Sequence, residues 1–363
     1  MEKQDREKIL SINILRFFAA VAVMFYHYIF MFTQRGYTEF DYRVLWNISH
    51  YGYLGVDLFF IISGFVIAMS AENRDLFQFA LSRIGRLYPI YWTSVTITSI
   101  FVFFYGYTIE TTTNIKSFLA NMTMQPSMFG FSPIDGSYWS LTVELMFYIL
   151  IGLLIIVNKY KYLEKITIIL SVALGLGAIN HIVPFNWSSY FLAGILFYFI
   201  YKNGSSIVKI ISLIFNLIAS IIYATSRAPS LSDGYHANFD QITITTYIVS
   251  FYFIFLLISL KYVDNFIGEK VNQKTKKFII ILGSLTFPVY LLHQTIGHII
   301  LKALERFELG AILSLLVTTV FIFSISYTLN ICIEKRGREL IIKCANYLAN
   351  LFKILYFPRT SNR

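Results

Sequence analysis

The sequence predicts an all-α polytopic membrane protein with about ten transmembrane helices and both termini cytoplasmic. Three observations lead there. Of its 363 residues, 56% are apolar and 18% aromatic while only 14% are charged, which lies outside the range of soluble globular chains. Apolar runs long enough to cross a bilayer, about 20 residues each, recur along the whole length. Lysine and arginine fall in alternate connecting segments, 23 on one side against 6 on the other, with Arg16 left inside an apolar run. Such a bias places the cation-rich side in the cytoplasm.

The expected spans are 12–33, 51–71, 88–106, 138–158, 166–183, 188–201, 207–223, 242–260, 278–300 and 309–333. The first follows MEKQDREK and carries Arg16 without a small-residue cleavage site, so it reads as a retained helix rather than a signal peptide. The sixth is the shortest. Between the third and fourth, the outer loop 107–137 ends in FSPIDGSYW, a turn-rich run closing on an interfacial Tyr138-Trp139 pair. A second outer loop is expected at 224–241, where RAPSLSDGYH breaks the apolar pattern. After the last span, Leu340, Ile341, Cys344, Tyr347, Leu348, Leu351, Phe352 and Leu355 recur at helical spacing between Lys343 and Lys353. This reads as a basic amphipathic helix on the inner membrane surface. The domain organisation is thus a transmembrane domain over 1–333 and a cytoplasmic basic amphipathic tail over 334–363.

Composition also excludes function classes. Cys332 and Cys344 stand outside any CxxC pattern, so neither a disulfide framework nor a metal site is expected. The net charge of +10 records membrane orientation, and no nucleic-acid partner is expected.

Ionisable side chains inside apolar runs are costly and mark functional paths. Arg16 and His27 lie eleven residues apart, which on an α-helix is three turns and about 20°, so both occupy one face about 16 Å apart along the axis. Asp57 in the second span, Glu144 in the fourth and His293 in the ninth fall near the depth of His27, and a shared polar cavity would gather them. Each of the four also admits a plainer reading as a satisfied interhelical hydrogen bond, and Asp57 as a brace for the start of its helix. On the inner side, Arg83 and Arg86 are three apart in LSRIGRLYPIYW, adjacent on a helix surface, with Pro89 opening or kinking the third helix. Together with Arg16 they form a fork suited to phosphate groups. A cytoplasmic polyphosphate site joined to an imidazole near the outside fits an acyl-coenzyme A donor. His27 would be the general base, and Glu144 would orient it or balance its protonated form.

The Arg16/His27 pairing, the GVDLFFIISGF block at 55–65, the Arg83/Arg86 pair, WSLTVE at 139–144 and YLLH at 290–293 together resemble the membrane-bound acyltransferase-3 family. The likeness is close over the first four helices and looser beyond. It implies transfer of an acyl group, typically acetyl, from cytoplasmic acyl-coenzyme A to a hydroxyl of an extracytoplasmic carbohydrate such as O-antigen, capsule or exopolysaccharide, which would be lipid-linked in some cases. It further implies His27 as the catalytic histidine, Glu144 as a family carboxylate, and Arg16, Arg83 and Arg86 as donor-binding residues. Asp57 and His293 stand as substrate or structural support. Acetyl-CoA enters as a donor substrate, with no permanently bound cofactor, and the expected location is a bacterial cytoplasmic membrane. Some members append an SGNH-type domain, which is not seen in this sequence. The competing reading is a secondary transporter or lipid-sugar flippase using His27, Asp57, Glu144 and His293 as a relay. The sequence has no internal repeat symmetry of the kind many transporters show.

Overall fold

Runs of leucine, isoleucine and phenylalanine leave a backbone in lipid one economical solution, which is to satisfy its hydrogen bonds within each segment. The computed structural model describes residues 9–180, 187–231, 239–263, 267 and 269–356. Among them every regular element is helical and no strand occurs.

The principal helices are α1 (Leu10–Phe25), α2 (Gly55–Ala71), α3 (Leu76–Tyr105), α4 (Trp139–Ile156), α5 (Leu163–Ile179) and α6 (Ser188–Asn203). They are followed by α7 (Ile207–Leu231), α8 (Phe239–Ile258), α9 (Gln273–Arg306), α10 (Ala311–Leu329) and α11 (Lys335–Tyr356). Among the described residues, nine helical stretches are long and apolar enough to cross a membrane. The missing member of the expected ten is α6, whose 16 residues are buried from Ser189 to Phe199. It is an interior helix, wrapped by its neighbours instead of lipid.

Two boundaries differ from the sequence reading for local reasons. Helix α3 begins twelve residues before the expected position 88, because the Asp75 side chain accepts from Gln78 N at 2.8 Å and caps a new first turn. Pro89 therefore lies inside the helix instead of opening it. Helix α7 continues to Leu231, so the start of the expected 224–241 loop is helical and Arg227 belongs to a helix. Residues 232–238 of that loop lie outside the described residues, as do Lys3, Arg6, Lys8 and the last seven residues of the tail. The loop 107–137 holds a helix at Ile115–Asn121 and 3-10 turns at Pro126–Phe129 and Gly136–Tyr138. It is knitted by the fully buried Asn121, which bonds Ser117 O, Ser132 O and Ile134 N.

Close packing holds the bundle. A Cβ on Gly194 would stand 1.9 Å from Ile61 O, and one on Gly64 would stand 2.2 Å from Phe191 O, so α2 and α6 meet backbone to backbone as small residues allow in membranes. Helix α1 packs against both α2 and α9. Asn13 abuts Gly283 and Tyr28 abuts Gly297, so α1 and α9 run parallel. That direction requires an odd number of passes between them, and the seven helices α2 to α8 meet it only when α6 counts as a pass despite its length. Helix α11 starts as part of this packing, with Gly337 against Pro89 and Arg338 over Gly85.

Candidate active site

Helices α1, α2, α3, α4 and α9 line a partly open cavity with about 700 Å³ of empty space, counting its solvent-open mouth. Its polar wall is Arg16 from α1, Ser63 from α2, Arg83 and Arg86 from α3, Ser140, Glu144 and Tyr148 from α4, and Thr286 and Tyr290 from α9, set among apolar residues such as Phe59, Phe60 and Leu141. The three arginines grouped by the sequence therefore line one cavity, because the early start of α3 makes Arg83 and Arg86 helical neighbours.

Glu144 Oε1 accepts from Ser63 Oγ at 3.1 Å and from Tyr148 OH at 2.5 Å. The Arg83 guanidinium lies 5.9 Å from the Tyr148 ring centre. Among the described residues none of Arg16, Arg83 and Arg86 pairs with a carboxylate within 4.0 Å; the ion pairs there are Lys202–Glu72, Lys209–Glu164, Arg227–Asp57 and Lys302–Glu305. Three partly buried guanidiniums share two nearby carboxylates, Glu144 and Glu334, and the remaining positive charge is one that a polyanion would balance.

His27 lies beyond this cavity. The α-helical winding of α1 ends at Phe25, and His27 sits in a π-helical turn, Tyr26–Met31. Such local unwinding often marks functional positions. Its Nδ1 is 2.8 Å from Val23 O and 3.1 Å from His293 Nε2, with the two rings 4.9 Å apart. His293 Nδ1 is in turn 2.8 Å from Tyr290 O. A carbonyl can only accept, so both Nδ1 atoms carry their protons. His293 Nε2 is then a lone-pair acceptor that shares the His27 Nδ1 proton with Val23 O. The network leaves the lone pair of neutral His27 on Nε2, the arrangement of a general base held in one tautomer.

Helix α9 is anchored around His293 from outside. Tyr28 OH donates to His293 O at 2.9 Å and Tyr138 OH to Leu291 O at 3.0 Å, while Ser137 Oγ, whose one proton is shared with the closer Asp135, lies 3.1 Å from Tyr290 O. Asp135, fully buried, accepts from Ser137 N and Ser137 Oγ with one oxygen and from Thr295 N at 2.8 Å with the other. The sequence offered Asp135 only as a turn residue. His298 Nε2 approaches His27 O at 3.1 Å, with its ring stacked 4.4 Å from Phe32.

The expected common cavity for four ionisable groups resolves into three places. His27 and His293 meet each other, and Glu144 faces the arginines, away from His27. Asp57, fully buried, accepts from Arg227 Nη2 at 2.9 and 2.6 Å and from Tyr190 OH at 3.0 Å. Asp57 thus ties α2 to α6 and α7. Its partner was missed because Arg227 read as part of a polar loop.

The sequence pattern of the acyltransferase domain of the acyltransferase-3 family matches residues 9–331. Among similar proteins, the putative acetyltransferase ORF330 of Acidianus two-tailed virus is 25% identical over 77% of this chain and 80% of its own. The peptidoglycan O-acetyltransferase OatA of Listeria monocytogenes is 24% identical over 49% of this chain and 29% of its own. Nodulation protein 10 of Rhizobium leguminosarum bv. viciae is 25% identical over 40% of this chain and 44% of its own. No solved structure gives a significant match. With its helical membrane architecture and a family match over nearly its full length, the chain belongs to the acyltransferase-3 family and is a multi-pass membrane acyltransferase.

Proposed function

We propose that this protein moves an acetyl group from cytoplasmic acyl-coenzyme A to a hydroxyl of a cell-surface or lipid-linked carbohydrate, working in the cytoplasmic membrane of a bacterium. The observation that supports this reading best is the arginine cavity, whose lining ends at Tyr290, in ring contact with His293 of the imidazole pair. Arg16, Arg83 and Arg86 would take the donor phosphates, with bidentate geometry available to each guanidinium. The acyl end of the donor would then lie toward Tyr290, one helical turn from His293.

At that end His27 Nε2 takes the proton of the acceptor hydroxyl as its oxygen attacks the thioester carbon. The imidazolium formed is held at Nδ1 by Val23 O and His293 Nε2, and it returns the proton to the departing thiolate. Acyl-coenzyme A acts as co-substrate and leaves as free coenzyme A. The carbohydrate acceptor is favoured by the resemblance to a peptidoglycan O-acetyltransferase.

The test compares surface polysaccharide from cells with and without the gene by mass spectrometry, and follows labelled acetyl-coenzyme A in membranes from both. An added acetyl mass that depends on the gene, with label passing from donor to carbohydrate, is the expected result. Polysaccharide of identical mass in the two strains would overturn the acceptor class, and an absence of coenzyme A release would overturn the donor.

A further inference from the structure

Tyr290 has a position that the chemistry above leaves unused. Among the described residues it is the one side chain that lines the arginine cavity and also makes ring contact with His293, at 5.6 Å between centroids. Because α1 and α9 run parallel, with Asn13 beside Gly283 and Tyr28 beside Gly297, Tyr290 lies between the level of Arg16 and that of His27. A thioester travelling from the arginines to the base meets this phenol.

The phenol is buried and belongs to a triangle of oxygens. Tyr290 OH lies 2.7 Å from Ser140 Oγ and 3.1 Å from Ser137 O, and Ser140 Oγ lies 3.0 Å from Ser137 O. Two hydroxyl protons serve these contacts. In one arrangement Ser140 donates to the carbonyl and Tyr290 donates to Ser140. In the other, Ser140 donates to the phenol oxygen, and the phenol proton has only the longer contact to Ser137 O. The second arrangement holds a proton that a better acceptor at the cavity end would capture. Donation from Ser140 into the phenol oxygen also strengthens the phenol as a donor.

We propose that Tyr290 is a catalytic residue: its O–H donates to the thioester carbonyl oxygen as that oxygen becomes negative, while Ser140 Oγ–H supports the phenol from behind. The proposal rests on the acyl-transfer reading of the cavity. Attack by the acceptor oxygen forms the new C–O bond, and the acceptor proton passes to His27 Nε2. The carbonyl electron pair moves onto the oxygen held by Tyr290. Collapse of this intermediate restores the carbonyl and breaks the C–S bond, and the thiolate takes the proton back from His27. The Tyr290 proton stays on its own oxygen throughout.

Membrane vesicles from expressing cells carry the native acceptor, and two donors separate the explanations: acetyl-coenzyme A and its dithioester analogue, in which a weakly accepting sulfur replaces the carbonyl oxygen. Tyr290→Phe keeps the ring. It is expected to slow transfer from acetyl-coenzyme A by about 10²–10³-fold, the usual loss for one oxyanion donor, with little effect on the dithioester and unchanged coenzyme A binding. Ser140→Ala should show the same donor dependence with a smaller loss. An equal fall with both donors would assign Tyr290 a structural role and overturn the proposal, as would an undiminished rate. Wild-type vesicles that turn over neither donor would instead sink the acyl-transfer reading itself.

Discussion

His293 Nε2 stands 3.1 Å from His27 Nδ1 while Val23 O stands 2.8 Å from the same atom, so the proton on that nitrogen has two acceptors. The consequence is a built-in asymmetry between the two histidines. His27 supplies the base at Nε2, and His293 only shares in holding the opposite side of the ring.

That asymmetry predicts different losses. His27→Ala removes the base, and acyl transfer should fall by about 10²–10⁴-fold with coenzyme A binding retained. His293→Ala leaves Val23 O to keep the tautomer, so the loss is about one hydrogen bond, roughly 1–1.5 kcal/mol, or about tenfold in rate. Steady-state rates of the two variants in membranes check this. Losses of equal size would make His293 a full partner in proton transfer.

Glu144 gives a second contrast, because it contacts Ser63 and Tyr148 on the arginine side. Glu144→Gln keeps an acceptor oxygen for both hydroxyls and removes one negative charge beside Arg16, Arg83 and Arg86. Donor affinity should rise or hold, with kcat preserved. Arg83→Ala and Arg86→Ala should each weaken coenzyme A binding by about 1.5–3 kcal/mol, the range for hydrogen bonds to charged groups, and lysine should restore only part of it. Titration of coenzyme A against the purified variants measures both. A collapse of kcat in Glu144→Gln at unchanged affinity would return that carboxylate to His27.

Much of this was legible in the sequence where membrane physics makes a residue conspicuous. An arginine, a histidine and a carboxylate inside apolar runs stand out because lipid penalises them, and the Arg83/Arg86 spacing carries over directly to a shared helix surface. Depth was readable, whereas the direction a side chain takes around its helix was not. Glu144 and His27 were grouped by depth, yet Glu144 turns toward Ser63 and His27 toward α9. Arg227 was hidden for a different reason: PSLSDG after it reads as turn, and only the continuation of α7 to Leu231 brings its guanidinium to Asp57. Asp135 looked like an ordinary turn former, since nothing local announces that its second oxygen reaches Thr295 N across the bundle.

Topology yields a third prediction. The charge bias puts the loop before α4 outside and the segment before α9 inside. After Cys332 and Cys344, both exposed, are replaced by serine, Ser132→Cys should react with an impermeant thiol reagent in intact cells and Gln273→Cys should not. Both positions are exposed on the protein, so the membrane alone decides access. Labelling at Gln273 and protection at Ser132 would invert the protein and move the arginine cavity to the opposite face.

Asp57 and Arg227 provide the last test, one of stability separated from chemistry. The carboxylate is fully buried, and its oxygens lie 2.9 and 2.6 Å from Arg227 Nη2. The guanidinium also lies 4.4 Å from the Tyr223 ring centre. Asp57→Asn preserves shape but leaves the guanidinium without its carboxylate, and breaking a buried pair in this way typically costs about 3–5 kcal/mol. The variant should unfold at distinctly lower temperature in detergent, while the protein that remains folded keeps its transfer rate. Combining Asp57→Asn with Arg227→Gln removes the charge that has lost Asp57 and allows two amides to pair, so part of the stability should return, a coupling that the double-mutant cycle reads directly. If Asp57→Asn instead retained wild-type stability and lost transfer, the pair would belong to the reaction, and the division between the α2–α7 tie and the site at His27 would have to be redrawn.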